Sequence, residues 1–145
     1  YLAQTGSFNT FIGLEAGKNL VSGESNNFIG GFAGRDTNGA NHNNFFGYNA
    51  GYANTGGSYN NFLGYLAGCA NTNGCHNNFF GCWAGYSNIS GCYNNFLGLN
   101  AGQYNTTGSQ NNFFSNRAGS YNTTGSFNNF FGFGAGKRVV AGNIR

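Results

Sequence analysis

The sequence repeats itself every 17 residues, eight times, without an insertion or a deletion. Each copy opens on an asparagine, at Asn9, Asn26, Asn43, Asn60, Asn77, Asn94, Asn111 and Asn128. Numbered from that residue, the copies follow N-N-F-[FIL]-G-x-x-A-G-x-x-N-T-x-G-x-x. Positions 1, 3, 8 and 9 are Asn, Phe, Ala and Gly in every copy, position 5 is Gly except at Ser115, and position 15 is Gly except at Ala40. A fixed period of this kind marks a stacked repeat architecture, in which each unit contacts its neighbours along one axis. Seventeen residues cannot hold two helices and a turn, and three glycines per copy would each cost ~1 kcal/mol in a helix interior. The unit is therefore β.

A strand N-N-F-F, a turn at the position 5 glycine, a short second segment and further glycine turns at positions 9 and 15 describe one coil of a solenoid. The expected fold class is all-β, a parallel β-solenoid (β-roll or β-helix) of eight 17-residue coils, with residues 1–145 forming a single repeat domain. At a strand spacing of ~4.8 Å, eight coils make a rod of roughly 38 Å. Equal repeat lengths place each residue over its counterpart in the next coil. Asparagines at positions 1 and 2 can then form amide ladders, and the position 3 column (Phe11, Phe28, Phe45, Phe62, Phe79, Phe96, Phe113 and Phe130) a stacked aromatic spine. The invariant alanine at position 8 suits a narrow interior facing that spine.

Position 4 is also wholly apolar, with Ile12, Ile29, Phe46, Leu63, Phe80, Leu97, Phe114 and Phe131. Adjacent strand residues project to opposite faces, so the two columns cannot both fill one thin coil. Ordering 17 residues costs ~17 to 34 kcal/mol, and burying one large apolar side chain returns only ~1.5 to 3 kcal/mol, so leaving half the apolar columns in water is implausible. A continuous exposed ladder normally marks an interface. The expectation is self-association along the rod axis, most simply three chains around a shared apolar centre, the alternative being a flattened single-chain solenoid that encloses both columns.

The segments Asn-Asn-Phe-Ile-Gly-Gly-Phe-Ala (26 to 33) and Asn-Thr-Phe-Ile-Gly-Leu-Glu-Ala (9 to 16) resemble the head repeat of YadA-like trimeric autotransporter adhesins. They are still more similar to the N-T-x-[IL]-G-x-x-A-G-x-x-N-T-T-G repeats of bacterial and phage tail-fibre-like proteins. The resemblance covers the whole chain. It implies a homotrimeric, left-handed parallel β-roll serving as shaft or head of a fibre outside the cell, on the cell surface or on a virion. Architecture follows from such short motifs more firmly than function does.

Chemistry is scarce. The charged side chains are Glu15, Lys18, Glu24, Arg35, Asp36, Arg117, Lys137, Arg138 and Arg145, and residues 37 to 116 carry none. No carboxylate pair recurs at a repeat position, which leaves general acid–base catalysis without candidates, and no cofactor motif is present. No enzyme activity and no cofactor are expected. His42 and His76 share position 17 two coils apart, ~9.6 Å, too far to bind one metal ion together. A net charge of +3 with one adjacent basic pair, Lys137-Arg138, gives little drive toward nucleic acid. No apolar run approaches the ~18 residues that cross a bilayer.

Cys69, Cys75, Cys82 and Cys92 fall in neighbouring coils, and Cys75 and Cys92 both occupy position 16, one strand spacing apart and within reach of a disulfide. Free thiols filling core or turn space are the alternative. Tyr52, Tyr59, Tyr86, Tyr93, Tyr104 and Tyr121 occupy the variable positions 10, 11 and 17, where a ridged Tyr/Asn surface could grip a host-surface glycan or protein. A second reading is an ice-binding solenoid using Asn-Thr columns at positions 12 and 13, as at Asn54-Thr55, Asn71-Thr72, Asn105-Thr106 and Asn122-Thr123, interrupted at Leu20-Val21, Asn88-Ile89 and Val139-Val140. The chain begins and ends inside a repeat without a polar cap. Residues 1 to 36 carry three acids and two bases, and residues 117 to 145 four bases and no acid. Both features suggest a piece of a longer fibre, or units joining head to tail.

Overall fold

The computed structural model describes residues 5–138 and 140–142; Tyr1, Val139 and Arg145 lie outside them. Eight three-residue strands, β1 (Thr10–Ile12), β2 (Asn27–Ile29), β3 (Asn44–Phe46), β4 (Asn61–Leu63), β5 (Asn78–Phe80), β6 (Asn95–Leu97), β7 (Asn112–Phe114) and β8 (Asn129–Phe131), form one parallel sheet in chain order. Every pairing joins residues 17 apart, as in Phe62↔Phe79 and Leu63↔Phe80. The protein is a β-solenoid. Each strand spans repeat positions 2 to 4, one residue shorter than the expected N-N-F-F segment.

The interior has an apolar half and a polar half. The apolar half is the position 3 phenylalanines packed with the position 8 alanines. Phe28, Phe45, Phe62, Phe79, Phe96 and Phe113 are fully buried, and successive rings from Phe28 to Phe113 lie 4.8 or 4.9 Å apart and tilted by 4 to 7°. Direct stacking at the strand spacing is enforced by the backbone, because the identical ring one coil away has nowhere else to go. The position 9 glycine sits against that ring: a Cβ on Gly34 would stand 2.6 Å from Phe28. The invariant Phe therefore requires the invariant Gly.

The polar half is a network of asparagines at positions 1 and 12. The backbone N–H of Asn60 donates to Oδ1 of Asn43 at 2.9 Å, and that of Asn77 to Oδ1 of Asn60 at 3.0 Å. In coils three to seven the position 15 carbonyl then accepts two amide hydrogens. Gly57 O receives Asn43 Nδ2 at 2.9 Å and Asn54 Nδ2 at 2.8 Å, and Gly74 O receives Asn60 and Asn71 in the same way. The position 12 amides also bond to each other, Asn71 Nδ2 reaching Asn54 Oδ1 at 2.7 Å and Asn88 Nδ2 reaching Asn71 Oδ1 at 2.7 Å. Buried amides are tolerable because nitrogen and oxygen both have partners, as in Asn60 and Asn71.

Two expectations about the turns need correction. Gly57, Gly74, Gly91, Gly108 and Gly125 at position 15 are not left-handed; a Cβ there would overlap the carbonyl oxygen of the next coil's glycine, so the need is for space, not for φ. The left-handed corners also include non-glycine residues. All of Glu15, Phe32, Asn49, Leu66, Trp83, Asn100 and Arg117 at position 7 have φ between 53 and 60°, and His42, Tyr59, His76, Tyr93 and Gln110 at position 17 lie between 54 and 60°. At these two positions the amide turns back to the preceding coil, as in Asn49 N–H to Gly31 O at 2.9 Å and Tyr59 N–H to Asn41 O at 3.0 Å. At position 9, by contrast, it points to the following one, as in Gly51 N–H to Ala67 O at 3.0 Å. The cross-coil bonds offset the cost of an unfavoured conformation.

Candidate functional site

The face that can meet another molecule is the outer surface of the strands. With position 3 turned inward, positions 2 and 4 point out. The position 2 asparagines form a side-chain ladder along the rod, Asn61 Nδ2 to Asn78 Oδ1 at 2.8 Å and Asn78 Nδ2 to Asn95 Oδ1 at 2.7 Å. Beside it runs the position 4 column. Ile29, Leu63 and Phe80 are 37, 40 and 37% exposed, Ile12 and Phe131 more so, and Phe46, Leu97 and Phe114 are half-buried. Phe114 and Phe131 stack at 5.1 Å. Position 6 widens the strip with exposed Leu14, Tyr48, Tyr65, Leu99 and Phe133, Tyr48 and Tyr65 stacking at 5.8 Å. Sequence reasoning passed over position 6 because its residues differ from coil to coil; its spacing of two from position 4 was the available signal.

The tyrosine positions are on the outside, but their ring faces are partly spent. His42, Tyr59, His76 and Tyr93 form one continuous stack with centroids 4.8 Å apart. The two histidines are thus separated by a tyrosine ring, and among the described residues no group of three His, Cys, Asp or Glu could hold a metal ion. Tyr104 stacks on Tyr121 at 5.1 Å, Tyr86 packs on Trp83, and the Arg35 guanidinium lies 5.1 Å over Tyr52. Ring edges, hydroxyls and imidazole nitrogens, more than open faces, are what this surface offers.

The Asn-Thr array at positions 12 and 13 is not a surface array. Asn54, Asn71, Asn88, Asn105 and Asn122 are fully buried, and the threonine hydroxyls donate to the next coil, Thr72 Oγ1 to Ile89 O and Thr106 Oγ1 to Thr123 O at 3.0 Å each. Asn beside Thr looked like a repeated outward pair; the near-constancy of position 12 in the later coils, matching that of position 1, was the sign of an interior role.

Cys75 and Cys92 are stacked as their shared position requires, both as free thiols, with sulfurs 2.8 Å apart and the Cys75 N–H donating to Cys92 Sγ at 3.0 Å. Burial, and then the neighbouring Cys92 thiol, push the Cys75 thiol up to about 11. Burial alone does the same for Cys69. Thiols held protonated are poor nucleophiles. At the other end of the charge distribution, Glu15 accepts a hydrogen bond from Lys18 Nζ at 2.8 Å and is ion-paired with Arg35, whose Nε lies 3.2 Å away. The Lys18 hydrogen bond leads in holding its carboxyl below the usual range. Glu15 and Asp36, expected to meet the bases of a following unit, are engaged within and between the first two coils, Asp36 also lying 3.7 Å from Arg35.

No protein-family model, no curated protein and no solved structure matches the chain. Among the described residues no helix is long and apolar enough to cross a membrane.

Proposed function

We propose that the protein is a structural rod that associates with further copies of itself through its outer strand face, most simply as three chains around a common axis, and that it serves as the shaft or head of an extracellular fibre. The single observation that carries this reading is the contrast within strands β2 to β8: the position 3 ring is buried inside the coil, and the apolar side chain next to it is partly open to water. Eight such side chains in line, widened by position 6, make an uninterrupted apolar strip, and patches of that size on a soluble protein mark an interface. The flanking position 2 asparagines give the strip a polar border whose amides are already bonded along the rod, so they would tolerate burial at an interface edge. The repetition supports a shaft, because every coil presents the same stripe at the same angle and an interface built on one coil extends to all of them. An ice-binding plane draws less support, since half its members are interior asparagines; a thermal-hysteresis measurement should read zero.

Sedimentation or size-exclusion with light scattering tests the reading. A mass two or three times 15.3 kDa, falling to the single-chain value when Phe80 and Leu97 are both changed to Ser, is the expected result. A stable single chain at high concentration overturns it.

A further inference from the structure

We propose that the last three coils carry a binding site for an acidic saccharide, its carboxylate or sulfate held between Arg117 and Lys137. These residues line a pocket of about 180 Å³ together with Asn100, Gln103, Ser120 and Tyr121. The repeat explains why the hollow opens here. In earlier coils position 10 carries Tyr52 and Tyr86 on either side of Cys69, and the two rings pack with Arg35 and Trp83. From coil six onward the same column reads Gln103, Ser120, Lys137, and the small serine leaves a gap between two longer polar side chains.

The pocket is electrostatically unmatched. The only acids of the chain are Glu15, Glu24 and Asp36, and Asp36 is five coils from Arg117, ~24 Å along the axis at the usual strand spacing and well beyond the ~8 Å over which charges interact at physiological salt. Among the described residues the ion pairs are confined to Glu15, Lys18, Arg35 and Asp36. A second observation is an unpartnered polar atom in a residue of the pocket lining. Ser120 is 3% exposed and its Oγ has no hydrogen-bond partner. A buried hydroxyl left unbonded is costly, and a rotation of the Ser120 side chain to the pocket wall would let a ligand oxygen supply the bond.

Two cations alone would suit a bare oxyanion. The added Asn100 and Gln103 amides each offer donor and acceptor to hydroxyl groups, and Tyr121, stacked on Tyr104 through one face and 46% exposed, adds a phenol edge and hydroxyl against which a sugar can lie. The Arg117 fork matches the paired oxygens of a carboxylate or sulfate.

Isothermal titration calorimetry on the full chain at fixed ionic strength, with glucuronate, N-acetylglucosamine 6-sulfate, inorganic sulfate and glucose as probes, tests the site. Saturable binding of both acidic sugars, with none of glucose, is expected. Arg117→Gln and Lys137→Gln should each weaken it about tenfold, the scale of a lost hydrogen bond to a charged group, and Ser120→Ala by a smaller factor. Both glutamine changes are at outward side chains and should leave the circular dichroism and the assembled mass unchanged, so a failure here is separable from a failure of the rod reading. Unaltered affinity in the two glutamine variants, or glucose binding as tightly as glucuronate, overturns the proposal. Inorganic sulfate matching the sulfated sugar overturns its saccharide component.

Discussion

Phe79 and Phe80 are the same residue, adjacent in one strand, and they live in different worlds. Phe79 lies between the rings of Phe62 and Phe96 at 4.8 and 4.9 Å and is fully buried; Phe80 is 37% exposed. The columns they belong to differ accordingly. Position 3 admits only Phe, because the space inside a 17-residue coil is set by Ala on one side and a Cβ-free Gly on the other, and one shape fits. Position 4 accepts Ile, Leu or Phe, which is what an outer face requires: apolar character without a fixed volume. Invariance and apolarity therefore carry separate messages, the first about the interior and the second about a surface that wants cover.

The largest effect expected from attacking this contrast is at the spine. Phe79→Ala should cost ~3–5 kcal/mol, the range for emptying a buried aromatic site, whereas Phe80→Ala should cost the isolated chain no more than ~0.5 kcal/mol, as for other surface changes; urea midpoints measure both, and equal losses would abolish the distinction. Gly85→Ala comes next. Its φ is +57° and its Cβ would run into the Phe79 ring, so overpacking of ~1–3 kcal/mol is expected, and a double-mutant cycle with Phe79→Ala should show the penalty shrinking once the ring is gone. A third comparison moves to the asparagines. Asn77→Ala strips Gly91 O of one donor and the Asn94 N–H of its acceptor, a loss of ~1–3 kcal/mol, and the outward neighbour Asn78→Ala should lose clearly less in the same unfolding experiment. The smallest effect is on pH. Folded Cys69 and Cys75 titrate near 11 against an ordinary value of 9.0, so the unfolded chain releases these protons first. Their contribution is intact below pH ~9 and fades between ~9 and 11. Thermal melts at pH 8 and 10.5 should show a fall in midpoint that a Cys69→Ala, Cys75→Ala variant reduces.

Much of the architecture was readable because identical residues recur at identical intervals. The parallel register of Phe62 on Phe79, the amide ladder at position 2 and the stacking of Cys75 on Cys92 all follow from the unbroken 17-residue period. The misreading of position 12 has a physical origin: Asn54 and its counterparts neighbour threonines that do reach the outside, and polarity alone assigned them to water, although a carbonyl with two lone pairs can draw two amides inward. The corners at positions 7 and 17 escaped notice because Glu, Phe, Leu, Trp, Arg, His and Tyr all occupy them, and no composition marks a left-handed residue that is held there by hydrogen bonds to the coil before it.

Taken by itself, the chain's repetition determined that coils of equal length stack with like over like, since any slip would break every ladder at once. Only the closed coil decided which apolar column is enclosed. Alternation along a strand places two neighbours on opposite faces without saying which is the inner one, and that choice is made where the backbone reverses at its left-handed corners and brings Ala and Gly against one ring, leaving the other outside.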